Sequence, residues 1–244
     1  KNSYSKFKII EDDFSKPKAY EKLENNYDQV YMMAAIVGVN RTLLNPSEVI
    51  KVNTNLVNEL INWIERSKIK KLLFASSSEN YAGTTQLYKG TVPSRETIPL
   101  TISDIKHPRW TYAITKILGE SAFIHASKKF NFSTTIVRYQ NAYGPEMGFK
   151  HVIPHLVQRF LSHNRRDPFM IYSANQTRSF CYISDAVEGT IKAMNSKNSN
   201  GEIYHIGNDQ EISIKMLTKE VGNLMGYIGK YKNGPIYPES VNRR

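Results

Sequence analysis

Tyr112 and Lys116 stand four residues apart in the segment WTYAITKILGE, and Ser76, Ser77 and Ser78 close an apolar run upstream of it. Together these residue types make a proton-transfer device. A phenol ordinarily ionises near pH 10, too high to act as a base at neutral pH. An ammonium one helical turn away shares its helix face and favours the phenolate. A serine hydroxyl can then align the alcohol whose proton is removed. The Y-x-x-x-K spacing alone is common by chance; with the serines beside it, the group becomes a candidate site.

Such a device needs a helix start held against a strand end, and the apolar pattern supplies both. QVYMMAA (29–35), KKLLFAS (70–76) and STTIVRY (133–139) read as short strands buried in a parallel sheet. Between the first two, Val52, Leu56, Leu60 and Ile64 form a helical stripe that Val57 and Ile61 widen, giving a helix over 52–67. The helix over 110–127 is apolar around much of its girth and must be covered on two sides. The sheet covers one; a second subunit is the natural cover for the other, which predicts a homodimer through helices 52–67 and 110–127. Beyond residue 145, helices over 152–163, 184–196 and 213–226 alternate with strands near 168–172, 179–183 and 203–207. The chain is therefore expected to be α/β, with a main domain over 1–145 and a smaller mixed lobe over 146–244. Some later segments, such as 179–196, are expected to pack back on the main domain.

With 244 residues, 40% of them apolar, the chain has ample material for a core. No stretch approaches the roughly 20 apolar residues of a membrane span. Lone Cys181 excludes an internal disulfide and fits a reducing cytoplasm; it reads as a buried, inert thiol. The net charge of +11 could draw an anionic metabolite, but no basic run exceeds three residues and no nucleic-acid motif appears. His151 and His155 have a metal-binding spacing, yet Pro154 intervenes and no third ligand is evident, so no metal site is read.

Five blocks, in order, give the chain a resemblance to the extended short-chain dehydrogenase/reductase family, the NAD-dependent nucleotide-sugar epimerases and dehydratases. VYMMAA resembles the family's V-x-H-x-A-A, with Met32 in place of histidine. FASSSENYAG, followed by the Tyr112/Lys116 helix, resembles the catalytic strand and helix. RYQNAYGP (138–145) resembles R-x-x-N-x-Y-G-P, RSFCYISDAVEG (178–189) resembles R-D-F-x-Y-V-x-D-x-V-x-G, and YHIGN (204–208) resembles the strand after it. The family's opening G-x-x-G-x-x-G loop, which receives a cofactor pyrophosphate, is missing. The start FKIIEDDFSKP resembles a later family segment, and the end VNRR stops where related sequences continue. The resemblance thus implies a Rossmann-like doubly wound sheet lacking its first βαβ unit, in a chain truncated at both ends.

The resemblance also implies roles. Tyr112 would take the proton of a sugar 4-hydroxyl while hydride passes to NAD, with NADP the less favoured cofactor. Lys116 would hold the nicotinamide ribose and lower the tyrosine pKa, and Ser77 would bind the same oxygen. Asp13 and Phe14 would meet the adenine. Ala34, Ala35, Asn53, Ser76 and Tyr139 would complete the cofactor contacts. Ser78, Asn141, His151, Val152, Arg178 and Arg244 would bind a nucleotide-diphosphate sugar, with Arg243 beside Arg244. Glu79 would decide the fate of the 4-keto sugar. The dehydratases carry Asp-Glu after the catalytic hydroxyl; Ser78-Glu79 is more similar to UDP-glucuronate decarboxylases and several epimerases. A catalytically silent nucleotide- or RNA-binding regulator of the same fold, or an inactive fragment, stands as the alternative.

Overall fold

The computed structural model describes residues 7–236 and Arg243. Its centre is a four-stranded, wholly parallel sheet. The strands are β1 (Asn26–Met32), β2 (Lys68–Ser77), β3 (Ser133–Tyr139) and β8 (Glu202–Ile206), paired in the order β1-β2-β3-β8. In β2, Leu72, Leu73, Phe74 and Ala75 are all buried. A run apolar on both faces is what a strand between two helical layers requires. The expected doubly wound α/β sheet is what the chain forms.

On one face lie α2 (Pro46–Glu65), which opens on a proline at its first position, and α4 (Thr111–Phe130). Leu56, Leu60, Trp63, Phe74, Phe123 and Ile136 join them to the sheet. On the other face, α6 (Ile183–Asn195) packs Ala186, Ala193 and Met194 onto Leu73 and Val137. Among the short helices, α1 (Val39–Leu44) follows β1, and α3 (Ala82–Leu87) follows the turn after β2.

The remaining elements build a second lobe around Leu156, Phe160, Phe169, Ile171, Leu217 and Val221. They are α5 (Val152–Leu161), α7 (Ile214–Leu224) and the pairs β5 (Phe169–Ile171) with β10 (Tyr231–Asn233) and β6 (Thr177–Ser179) with β9 (Glu211–Ser213). A further pair, β4 (Ala142–Tyr143) with β7 (Cys181–Tyr182), bridges the two halves. Helix α6 and strand β8, both beyond residue 145, pack against the main sheet. No described helix is long and apolar enough to cross a membrane.

Helix α4 lies close to the sheet because Gly119 faces the Phe74 ring. A Cβ built there would stand 2.4 Å from a ring carbon. Gly119→Ala is expected to cost about 1–3 kcal/mol through overpacking, read as a lowered midpoint in urea unfolding. α4 ends on Asn131, whose left-handed φ of 58° closes the last turn.

Candidate active site

The parallel strands end together at one edge of the sheet, and the chemistry-bearing residues gather there. β2 finishes at Ser77, whose Oγ caps the following 3-10 turn, Ser78–Tyr81, by accepting the Glu79 N–H at 3.2 Å. A second 3-10 turn, Pro108–Trp110, leads directly into α4, so Tyr112 lies in the first turn of that helix. The Ser77 side chain interacts with the Tyr112 phenol in the sense that favours the phenolate. Strand end and helix start thus meet at one edge of the sheet.

Tyr112 is not yet a base in this arrangement. Desolvation pushes its pKa up to about 12; the Ser77 bond opposes that rise and the Glu79 charge adds to it. Lys116 is 4% exposed and its Nζ donates to the Ala75 carbonyl at 2.6 Å, with the Tyr112 ring centroid 5.8 Å away. Burial lowers its pKa to about 8, opposed by the Glu120 charge. In this structure desolvation dominates the phenol, while the Lys116 ammonium is engaged by a strand carbonyl.

That burial has a stability consequence. The folded chain holds the Lys116 proton less firmly than the unfolded chain, so the charge opposes folding fully below about pH 8. The penalty fades as pH rises toward the unfolded value near 10.4. Lys116→Met is expected to stabilise the fold at pH 7 by about 1–2 kcal/mol, after allowing for the lost Ala75 bond. The gain should shrink at about pH 9.5 in paired thermal-unfolding scans.

Two charged residues missing from the sequence reading stand at the site. Arg109 pairs with Glu79, N–O 3.1 Å, and its guanidinium lies 5.1 Å from the Trp110 ring centroid. Its position three residues before Tyr112 was the available signal. Glu120 extends the Tyr112–Lys116 spacing by another turn and forms a buried ion pair with Arg138, N–O 2.6 Å.

Other expected contacts fall differently. Ser76 faces α4 rather than the site: its Oγ donates to Glu120 at 2.5 Å. Strand alternation turns it to the face opposite Ser77. Ser78 is 3% exposed, closed inside the turn. Asn53 holds the chain after β1, accepting from Ile36 N at 2.7 Å and donating to Ile36 O at 3.1 Å and Thr115 at 3.2 Å. It thereby fixes the loop of Ala34 and Ala35, which is open to solvent. Tyr139 shares a 2.6 Å bond with Thr190 of α6. Asp13 accepts from the Ser15 amide and hydroxyl, which lower its pKa, and Phe14 packs edge-on to Tyr20 at 5.3 Å.

Asn141 donates to Ser179 O at 2.8 Å, which places it one residue from the buried Arg178. Gln140 joins this group to the Ser78–Tyr81 turn, bonding Tyr81 at 3.3 Å and Ser179 at 3.0 Å. His151 caps α5, exposed, and Val152 packs at the edge of the lobe core. The Arg243 guanidinium is held by Glu211, Nε–Oε1 2.8 Å, and Arg244 lies outside the described residues. Cys181 is buried. No group of three or more potential metal ligands occurs among the described residues.

The residues suit the reactive end of a nicotinamide cofactor: a tethered phenol, a buried ammonium and a loop of small residues at one sheet edge. The pyrophosphate-binding glycine loop is absent from the 244 residues.

A model of the NAD dependent epimerase/dehydratase family matches residues 1–207. The chain is 35% identical over 224 residues to a UDP-N-acetyl-alpha-D-glucosaminuronate decarboxylase of Bacillus cytotoxicus, covering 89% of this chain and 66% of that protein. It superposes on a UDP-glucuronic acid 4-epimerase from Bacillus cereus, solved with UDP-glucuronic acid and NAD. The TM-score is 0.74 and the identity 26%, covering 95% of this chain and 68% of that one. A UDP-N-acetylglucosamine 4-epimerase from Methanobrevibacter ruminantium shares the fold at TM-score 0.83 and 19% identity, covering 99% and 74% of the two chains. The chain spans about half to two thirds of the length of the curated relatives it matches.

Proposed function

The chain belongs to the NAD-dependent epimerase/dehydratase family, and on that footing we propose that it acts on a nucleotide-diphosphate sugar through a transient 4-keto intermediate. The observation that carries this reading is the Tyr112 phenol bonded to Ser77, with Lys116 one helical turn behind it. NAD, when bound, supplies reversible hydride acceptance. Tyr112 takes the proton of the sugar 4-hydroxyl as that carbon becomes a ketone. Ser77 donates to the same oxygen. Lys116 leaves Ala75 and brings its charge to the developing phenolate, supplying the stabilisation that the ligand-free geometry withholds. Asn141 and Arg178 bind the diphosphate, for which paired guanidinium donors are well shaped.

The ketone acidifies the neighbouring C5–H and weakens a C5–carboxylate bond. Ser78, where the dehydratases carry an aspartate, offers no carboxylic acid to protonate departing water, and Glu79 is engaged by Arg109 at 3.1 Å. Epimerisation or decarboxylation is therefore favoured over dehydration. The similarity to a uronate decarboxylase and to a uronate-binding epimerase supports the same preference. A silent regulator is disfavoured by Lys116, a buried cation that opposes folding and that simple binding does not require.

A panel of UDP-, GDP- and dTDP-sugars, incubated with the full chain and NAD and read by mass spectrometry, tests the reaction. Loss of the mass of carbon dioxide marks decarboxylation, loss of water marks dehydration, and an unchanged mass with altered chromatographic mobility marks epimerisation. Uniformly unaltered sugars would count against the enzymatic reading. The outer side of α4, where Leu118 is 39% exposed, is the proposed seat of a homodimer with α2, and light scattering should return twice the chain mass. A cytoplasmic location fits a buried free thiol.

A further inference from the structure

Tyr112, Lys116 and Glu120 follow one another at one-turn intervals on α4, and the reaction above gives Glu120 no step. Glu120 is nevertheless 4% exposed and its carboxylate accepts four hydrogen bonds. Arg138 supplies two, from Nε to Oε1 at 2.8 Å and from a terminal nitrogen to Oε2 at 2.6 Å. Ser76 Oγ supplies the third at 2.5 Å and Asn80 Nδ2 the fourth at 2.7 Å. Asn80 Nδ2 also reaches Ser76 Oγ at 3.0 Å. The Asn80 carbonyl oxygen meets no donor among the described residues, so the amide acts through its nitrogen alone.

Ser76 and Asn80 bracket Ser77, Ser78 and Glu79. Both ends of the bracket are tied to a single carboxylate on the helix that carries Tyr112 and Lys116. Turn and helix thus share one fixed point, although they are far apart in sequence. A buried ion pair adds little cohesion over apolar packing of the same volume, whereas it can hold two elements in one register. We infer that Glu120 is a positioning residue of the active site, registering the Ser77–Glu79 turn against the Tyr112–Lys116 helix. The inference takes its purpose from the reaction proposed above; the tether itself is independent of it.

Two variants separate these. Asn80→Ala releases the turn and leaves the Arg138–Glu120 pair intact. Glu120→Asp keeps the charge but withdraws it by one methylene. Backbone hydrogen exchange, read by mass spectrometry, reports the tether without any turnover. In Asn80→Ala, amides over 77–81 are expected to exchange about tenfold faster while those of β3 and the middle of α4 keep their rates. In the full chain with NAD and nucleotide sugar, both variants should lower kcat by about 100-fold with KM little changed, the effect of misplacement by about 1 Å. Unaltered exchange over 77–81 in Asn80→Ala, or an increase spread uniformly along the chain, overturns the inference whether or not the chain turns over. Undiminished kcat in both variants overturns it too. Local loosening in a chain that is inactive even when unsubstituted supports the tether and refutes the reaction. Should Glu120→Asp fail to fold, Asn80→Ala decides alone.

Discussion

Tyr112→Phe is expected to lower kcat by about 10²–10⁴-fold, the usual contribution of a positioned general acid–base, with nucleotide-sugar affinity little changed. The substitution removes one oxygen and keeps the ring that packs at the start of α4. What disappears is the proposed proton acceptor and the phenol oxygen that Ser77 interacts with. Asn141 and Arg178, proposed to hold the diphosphate, sit in a separate group joined to the Ser78–Tyr81 turn through Gln140. Binding and turnover should therefore separate. Initial rates and calorimetric titration on the same preparation read the two quantities. A Tyr112→Phe enzyme that still turns over at the original rate would remove Tyr112 from its role.

Arg138→Met is expected to destabilise the fold by about 3–5 kcal/mol, because it leaves the Glu120 charge buried without its cation. Arg138 and Glu120 expose 3% and 5% of their side chains, so water cannot replace the lost partner. The third guanidinium bond, to Glu96 O at 3.1 Å, is lost as well and loosens the loop before α4. Denaturant unfolding measures the effect. The Lys70–Asp28 pair provides the contrast: its side chains are 78% and 80% exposed, and Lys70→Met should leave the midpoint unchanged. Equal midpoints for the Arg138 variant and the unsubstituted chain would show that the pair is not closed to solvent.

The outline of this site was legible in the chain because its parts are local. Strand β3 has the bounds its β-branched run announces, and the one-turn spacing of Tyr112 and Lys116 survives in α4. Long-range placement was not legible. A short apolar run such as β8 carries no mark of the sheet it will join, so its pairing with β3 had to come from the coordinates. Strand β1 runs over Asn26–Met32 rather than 29–35, since an edge strand tolerates polar residues that blur its start. Ser76 and Ser77 were separable in principle, because alternation along β2 sends neighbours to opposite faces. Glu120 was hidden by its charge, which reads as a solvated helix position until Arg138 is found facing it. The direction of the Lys116 side chain depends on competition between a carbonyl and a phenol, which no spacing rule encodes.

The bond from Lys116 to the Ala75 carbonyl fixes where the ammonium sits. Desolvation pushes the phenol's pKa up to about 12, so on the proposed reading an alcohol at the sheet edge meets a protonated hydroxyl. In the proposed reaction the tyrosine becomes a base only as the ammonium is drawn from its mooring, so one lysine would both arm it and leave it disarmed.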